Sequence, residues 1–295
     1  MLEASVVIAT RNRAGFLREC LARLGRQTAN GRFETIVVDN GSTDETAAVI
    51  AQAGAGGAPA RGVFVPEPNR GKARNAGVRA SAGNLVIFCD DDTLPPDGFV
   101  DAHLRASAAN LKSVVSGPIV NVPDASHLVA PGPRNFSRAF LCTCNASVAR
   151  ADFDAVGGFD ERYDLYGWED TDLGVRLREH GVGRAWSWDA YIYHVKPPES
   201  VSLERRAVLA AEKGAMAARF VRKSPSLAVK LATGAYGLNF ARAAVVGAQP
   251  MRRWYRRVAG DDGEARGRWS KFAADALVDA AYIDALRSGL RRRDG

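Results

Sequence analysis

Residues 85–92 read Leu85-Val86-Ile87-Phe88-Cys89-Asp90-Asp91-Asp92, five apolar residues followed at once by three aspartates. The apolar run predicts a buried strand, and the aspartates place concentrated negative charge where that strand ends. Crowded carboxylates repel one another, and a hard divalent cation relieves the repulsion. Such a cation would in turn hold a strongly anionic group, for which a diphosphate is the first candidate. The alternative is a polar turn with Asp in capping positions, since Thr93-Leu94-Pro95-Pro96 follows.

Short apolar runs alternate with amphipathic segments over the first 90 residues. Strands are predicted at Ser5–Ala9, Glu34–Val38, Gly62–Val65 and Leu85–Cys89, with helices at Phe16–Gln27, Ser42–Ala53 and Lys72–Ala80 between them. This alternation predicts an α/β fold with a mostly parallel, doubly wound sheet. Ligands on such sheets bind beyond the carboxyl ends of the strands, where Thr10, Asp39 and Asp90 all fall.

The second half of the chain has longer and less regular segments. Strands are predicted at Val114–Pro118 and Leu141–Val148, an irregular loop at Asn121–Ser137, and helices at Thr171–Glu179 and Leu203–Arg222. We therefore expect a body over residues 1–199 and a helical C-terminal extension over residues 200–295.

The charge is unevenly distributed along the 295 residues, which carry a net +7. From Ser200 to Gly295 there are 19 Lys and Arg against 9 Asp and Glu, whereas the first 199 residues carry 21 against 24. A nearly neutral body with a basic extension predicts that the extension contacts something anionic: a membrane surface, a nucleic acid or a phosphorylated acceptor.

The four cysteines indicate a reduced setting. Cys20, Cys89, Cys142 and Cys144 have no paired spacing for a disulfide framework or a zinc site. The chain enters a strand without a leader-like segment, and no apolar stretch reaches the roughly 20 residues of a membrane span. These features predict a cytoplasmic protein.

Four segments together resemble the family 2 glycosyltransferases of the GT-A fold, over roughly residues 4–196. They are Val6–Arg13, Ile36–Asp44, Asn69–Gly77 with the following Leu85–Asp92, and Gly157–Glu161 running to Trp168–Leu173. The resemblance implies a nucleotide-sugar-binding half at residues 1–115 and an acceptor-binding half at 116–199. It also implies an inverting, metal-dependent transferase that uses a nucleotide-diphosphate sugar, with UDP the favoured nucleotide.

The resemblance assigns roles on the donor side residue by residue. Asp39 would bind the base with Thr10 and Arg13 nearby, Arg74 would lie against base and ribose, and Asp90 and Asp91 would bind the nucleotide sugar. Asp92 would bind Mn²⁺ or Mg²⁺, and His194, 24 residues past Asp170, fits the place of a second metal ligand. For Arg74 the alternative is a solvated helix face, and for His194 it is a structural role in an apolar strand.

A second acidic cluster, Glu169 and Asp170, follows Trp168. An inverting transfer needs a base to take the proton of the acceptor hydroxyl, and the resemblance places that base at Asp170. Glu169 would help bind the acceptor, and Trp168 could offer an apolar face to a sugar ring. The alternative is that the carboxylates, Asp172 among them, only begin a helix.

The basic extension contains Met251-Arg252-Arg253-Trp254-Tyr255-Arg256-Arg257, in which cations and aromatic residues alternate. This pattern suits peripheral contact with an anionic membrane, such as the inner face of the cell membrane, or a helical extension packed on the body. The acceptor stays open between a glycan, a lipid-linked molecule and a small molecule. No nucleic acid is expected as a partner, because no recognised nucleic-acid module is present.

Two other functions remain as alternatives. A sugar-phosphate nucleotidyltransferase would want a Gly-rich, basic loop after the first strand, but Ala9–Gly15 contains one glycine. A non-catalytic protein that binds a nucleotide sugar or a membrane surface is the other. Retention of configuration also stays open, because stereochemistry depends on geometry.

Overall fold

The computed structural model describes residues 2–55, 60–196, 201–260 and 267–292. The chain divides into two compact units, Met1–Asp164 with Glu169–Pro198, and Leu165–Trp168 with Glu199–Gly295. The first unit holds ten strands within the described residues: β1 Ala4–Thr10, β2 Phe33–Asp39, β3 Ala60–Phe64, β4 Leu85–Cys89, β5 Thr93–Leu94, β6 Ser113–Ser116, β7 Ile119–Val122, β8 Asn145–Ala149, β9 Gly183–Trp186 and β10 Ile192–Val195.

Seven of these strands form the main sheet, in the order β3-β2-β1-β4-β8-β6-β9. The predicted α/β fold with a mostly parallel sheet is confirmed. β1 is parallel to both β2 and β4, β2 is parallel to β3, and β6 is parallel to β9. β8 is the exception, because it runs antiparallel to both β4 and β6. The predicted strand Leu141–Val148 is shifted, since β8 begins only at Asn145.

Six α-helices of the first unit cover the sheet: α1 Ala14–Leu24, α2 Thr46–Ala55, α3 Arg70–Ala80, α4 Phe99–Ala109, α5 Arg150–Ala155 and α6 Glu169–Glu179. Successive side chains of β1 point to opposite faces, so Val6 packs in the core with α1 and α4 while Val7 packs with α3, α5 and α6. Burial of both faces explains why the strands read as continuous apolar runs. Gly77 of α3 allows close packing on β1, because a Cβ there would lie 2.5 Å from Val7 Cγ1.

A second sheet of three strands, β5-β10-β7, stands beside the first. In this sheet β10 is antiparallel to β5 and parallel to β7, and His194 pairs with Thr93 on one side and Asn121 on the other. The prediction of an irregular loop beginning at Asn121 is therefore wrong at its start, because Asn121 belongs to β7. The small sheet holds the last aspartate of the 90–92 cluster next to β10: Val195 N donates to Asp92 O at 2.8 Å.

The second unit is helical over its described residues. Its helices are α7 Leu203–Lys223, α8 Leu227–Thr233, α9 Gly237–Val246, α10 Gln249–Ala259 and α11 Arg268–Arg291. The predicted helix Leu203–Arg222 is confirmed as α7, whose N-cap Ser202 accepts a hydrogen bond from Arg205 N. The predicted boundary between residues 199 and 200 lies outside the described residues. Within the described ranges, no helix combines the length and apolar character that crossing a membrane requires.

Candidate functional site

Polar residues from three neighbouring strands converge at one edge of the main sheet. β1 and β2 are in register to their last residues, so Thr10 lies beside Asp39, and Asp90 directly follows β4 at the same edge. Asp39 is buried, and its Oδ1 accepts a hydrogen bond from Ser42 N at 2.9 Å. This bond fixes the turn after β2 and leaves the carboxylate at the predicted base-binding position.

The middle aspartate of the cluster points into the protein. Asp91 is only 4% exposed, and it accepts hydrogen bonds from Thr10 Oγ1 at 2.7 Å and Arg13 Nη1 at 3.1 Å. Burial raises the pKa of Asp91 to about 6, with a further contribution from Asp92, although Arg13 and Thr10 oppose the rise. These contacts occupy the hydroxyl of Thr10, so within the fold this residue orients Asp91.

The last aspartate faces two cationic or basic groups. Asp92 Oδ2 accepts from Arg13 Nη1 at 2.6 Å, and Asp92 Oδ1 lies 3.3 Å from His194 Nε2. Burial would raise the pKa of Asp92, but His194 and Arg13 outweigh it and lower that pKa below its ordinary value. Asp92 therefore presents a charged carboxylate to the site.

His194 is oriented by Asn121 of β7. The distance from His194 Nδ1 to Asn121 Oδ1 is 3.2 Å, and because an amide oxygen only accepts, Nδ1 carries the hydrogen. In the neutral ring the lone pair of Nε2 then faces the Asp92 carboxylate. A proton on Nε2 turns the contact into an ion pair, and a divalent metal could take the place of that proton.

The chemistry of these ligands suits Mn²⁺, and Mg²⁺ somewhat less, because imidazole nitrogen joins carboxylate oxygen. Over the described ranges, no group of three or more His, Cys, Asp or Glu side chains is arranged to hold a metal. Metal binding by Asp92 and His194 stays a prediction, and a metal held by these two residues would need oxygens of a ligand to complete its coordination.

Arg74 connects the two acidic clusters. It lies on α3, is 6% exposed, and donates from Nη2 to Asp90 Oδ1 at 3.1 Å and from Nη1 to Glu169 Oε1 at 3.5 Å. Burial opposes its charge, but Asp90, Glu169 and Asp170 outweigh this and raise the pKa of Arg74. The alternative of a solvated helix face is therefore wrong for Arg74.

Glu169 and Asp170 begin α6, where carboxylates suit the helix dipole. Asp170 is half-buried, and its Oδ1 accepts from Thr171 N at 2.7 Å. Burial raises the pKa of Asp170 to about 6, the charge of Glu169 adds to the rise, and Arg74 opposes it. Glu169 is 8% exposed, and its Oε2 is buried without a hydrogen-bond partner among the described residues. A ligand hydroxyl could satisfy that oxygen.

Asp172 differs from its two neighbours. It is buried and pairs with Arg176 Nε at 2.9 Å, one helical turn further on. Tyr163 Oη donates to its other oxygen at 3.3 Å. This carboxylate serves the packing of α6.

The contacts of Trp168 lie in the second unit. Its Nε1 donates to Lys213 O at 3.0 Å, and its ring centroid is 5.7 Å from that of Phe220 on α7. Its φ of 76° is rare for a bulky residue and indicates local strain. The role of Trp168 at the acceptor stays a prediction.

Sequence reasoning missed Asn121 and Asn75. Asn75 is buried in α3, where its Oδ1 accepts from Phe159 N and its Nδ2 donates to Phe159 O, both at 2.9 Å. These bonds fasten the segment before α6 to the helix that carries Arg74. An Asn amid small residues on a predicted helix was the available signal, because Asn is a poor helix former unless its side chain has a partner.

Comparisons with known proteins bear on the family and the fold of the chain. The model of glycosyl transferase family 2 matches residues 5–157, and that of the N-terminal domain of galactosyltransferase matches residues 126–196. A validoxylamine A glucosyltransferase from Streptomyces hygroscopicus subsp. jinggangensis is 31% identical over 270 residues, which cover 77% of this chain and 62% of that protein. The chain therefore spans about three fifths of the length of this relative.

Two solved structures have a similar fold. The mannosyltransferase PcManGT from Pyrobaculum calidifontis, in complex with GDP-Man and Mn²⁺, has a TM-score of 0.64 at 19% identity, covering 98% of this chain and 86% of that one. TarS 1–349 from S. aureus, in complex with UDP-GlcNAc, has a TM-score of 0.59 at 18% identity, covering 97% and 91%. With the family match over half of its length, the chain belongs to glycosyl transferase family 2 and has the GT-A fold.

Proposed function

We propose that the protein transfers a sugar from a nucleotide-diphosphate sugar, with UDP favoured, to an acceptor hydroxyl with inversion at the anomeric carbon. One observation carries the proposal: the buried guanidinium of Arg74 is bound by Asp90 on one side and Glu169 on the other. Because Asp170 follows Glu169 and its charge raises the pKa of Arg74, the proposed base lies near the side chain that contacts the donor cluster.

The donor binds at the sheet edge. Asp39 takes the base, and Arg74 and Asp90 take the ribose. Asp92 and His194 would hold a divalent metal, which would supply positive charge to the leaving diphosphate. Arg13 adds a second positive charge from a neighbouring position, and buried Asp91 keeps Arg13 in place.

Asp170 is the proposed general base. A carboxylate whose pKa is about 6 is mostly ionised at neutral pH yet binds a proton more strongly than an ordinary aspartate. Glu169 accepts a hydrogen bond from an acceptor or donor hydroxyl through its unpaired Oε2. The acceptor hydroxyl belongs to a glycan, a lipid-linked molecule or a small molecule.

Related proteins support a hexosyl donor. Their names and complexes specify glucosyl transfer, GDP-Man and UDP-GlcNAc. We infer that the transferred sugar is a hexose or an N-acetylated hexose.

Calorimetric titration with UDP, GDP and dTDP tests the donor site, each nucleotide with Mn²⁺, with Mg²⁺ and with EDTA. The expected result is binding of one nucleotide, UDP, that EDTA weakens strongly but does not abolish. The variant for comparison with wild type is Asp92→Asn, which should bind UDP no better with Mn²⁺ than with EDTA. Absence of nucleotide binding by folded protein would overturn the proposal.

A further inference from the structure

The last two helices of the basic extension, α10 and α11, share a surface of exposed aromatic rings. Trp254 is 43% exposed, Trp269 is 72% exposed and Phe272 is 50% exposed. The rings form a chain through the buried Tyr255, with centroid distances of 5.4 Å for Trp254–Tyr255, 6.1 Å for Tyr255–Phe272 and 6.3 Å for Trp269–Phe272. We call these three exposed rings, with the cations named next, the aromatic–basic surface.

Exposed cations surround the rings. They are Arg253, Arg256 and Arg257 on α10, and Arg268 and Lys271 on α11. In residues 201–260 and 267–292, none of the three α10 arginines takes part in an ion pair that the structure records, whereas Arg252 on the same helix pairs with Asp284 at 2.6 Å. Residues 261–266 add three acidic side chains and one arginine in sequence and lie outside the described residues.

The helix periodicity separates this surface from the packed face. Tyr255 and Ala259, one turn apart on α10, are buried against Ala273 and Ala274 of α11. Arg253 and Arg257 are also four residues apart and share the outward face, with Trp254 beside them. Ser270 Oγ donates to Ala259 O at 3.0 Å and joins the end of α10 to the start of α11. The exposed rings are therefore held on a fixed support and are not needed to fill the core.

We propose that the aromatic–basic surface binds the anionic surface of a lipid bilayer. Charge complementarity decides the partner, because the cations have few opposite charges in the described chain and the headgroups of acidic lipids supply them. Trp and Phe with Arg are the side chains that favour the boundary between headgroups and acyl chains. A single-stranded nucleic acid could also satisfy the cations and stack its bases on the rings, but the sequence contains no recognised nucleic-acid module.

The proposal goes beyond the transferase activity and does not depend on it. Membrane binding would bring a lipid-linked or membrane-embedded acceptor within reach of the protein.

Flotation with vesicles tests the proposed membrane binding, using vesicles of phosphatidylcholine alone and vesicles containing phosphatidylglycerol, each at low and high salt. Wild-type protein should float with the anionic vesicles at low salt, and high salt or neutral lipid should abolish flotation.

Two variants separate the charge from the rings. Each basic residue near an anionic surface contributes about 1 kcal/mol, or about a fivefold change in partition coefficient, so Arg253→Gln/Arg257→Gln should weaken partition about 25-fold. Trp254→Gln/Trp269→Gln should lose the blue shift of tryptophan fluorescence on vesicle addition as well as most of the binding. Arg105→Gln/Arg138→Gln and Trp188→Gln are matched controls, since they remove exposed cations and an exposed ring from the first unit.

Three outcomes would overturn the proposal. They are absence of flotation by folded wild-type protein, equal losses in the control variants, and tighter binding to an RNA of mixed sequence than to anionic vesicles. Circular dichroism of the same samples shows whether each variant is folded, and UDP binding reports on the proposed donor site separately from the lipid result.

Discussion

Nη1 of Arg13 lies 2.6 Å from Oδ2 of Asp92, so a cation of the chain itself already neutralises the carboxylate proposed to bind the metal. Arg13 is about half exposed, and the same Nη1 also donates to Asp91 Oδ1 at 3.1 Å. A metal ion bound by Asp92 would compete with this nitrogen for the carboxylate. We therefore expect metal binding and donor binding to be linked, because a diphosphate would offer Arg13 a new partner.

Arg13→Gln should bind Mn²⁺ more tightly than wild type in the absence of nucleotide, by about tenfold, because a competing positive charge is removed. The same variant should bind the nucleotide more weakly when metal is saturating. Electron paramagnetic resonance of free Mn²⁺ measures the first effect, and calorimetry measures the second. Arg18→Gln, an exposed arginine on α1 close to Arg13 in sequence, is the control. Equal or weaker Mn²⁺ binding by Arg13→Gln would show that Arg13 does not compete for Asp92.

Asp92→Asn and His194→Gln should each weaken Mn²⁺-dependent binding of UDP by about tenfold or more. Each change removes one of the two protein ligands and preserves the shape of the side chain. Affinity in EDTA should be unchanged, which separates metal loss from damage to the nucleotide site. Asp97→Asn, an exposed aspartate outside the site, serves as control. Full metal-dependent affinity in either variant would remove that residue from the metal site.

Asn121→Ala should lower the affinity for Mn²⁺ about 10-fold to 100-fold although Asn121 touches no metal. The reason is that Asn121 holds the hydrogen of His194 on Nδ1 and so directs the lone pair of Nε2 at Asp92. Asn121→Asp keeps an acceptor at that place and should retain most of the affinity. If Asn121→Ala binds Mn²⁺ as wild type does, the orientation of His194 does not depend on this bond.

Asp170→Asn should reduce the turnover number about 10²-fold to 10⁴-fold, because the amide cannot accept the proton of the attacking hydroxyl. Nucleotide affinity should stay within about twofold, since Asp90 and Glu169 keep their contacts with Arg74. Product formation from the donor identified by calorimetry measures the effect, with Asp154→Asn on the exposed face of α5 as control. Turnover like that of wild type would exclude Asp170 as the base.

The pH profile of kcat/KM should rise through a midpoint near pH 6 and level off above it. The folded pKa of Asp170 is about 6 and the base must be ionised, so activity is present above that pH and lost below it. Arg74 lowers this pKa, so Arg74→Gln should move the midpoint to higher pH. A profile that is flat between pH 5 and pH 8, or an unshifted midpoint in folded Arg74→Gln, would contradict this role.

The sequence predicted the elements whose determinants are local. The apolar run of β4 and its three aspartates fall where the pattern placed them, and the strand–helix alternation gave the sheet and the carboxyl edge on which Thr10, Asp39 and Asp90 meet. These features follow from periodicity and from the rule that parallel strands end at one edge.

Contacts between distant segments were beyond sequence reasoning. Arg74 and Glu169 are 95 residues apart, and only the packing of α3 against α6 brings them together. The sequence placed Asn121 at the start of a Pro- and Gly-rich loop. The strand β7 was missed because it is only four residues long and is a strand by virtue of its pairing with β10. The inward direction of Asp91 likewise depends on Thr10 and Arg13, which a run of three identical residues does not distinguish.

The antiparallel strand β8 has a consequence for how the chain is made. It pairs with β4 on one side and β6 on the other, although it is completed only at Ala149. During synthesis, β4 therefore emerges with the edge of Leu85–Cys89 uncovered until β8 follows. An uncovered apolar edge is a template for pairing with another nascent chain. The first half of this protein is thus expected to need shielding by a chaperone until Asn145–Ala149 has left the ribosome.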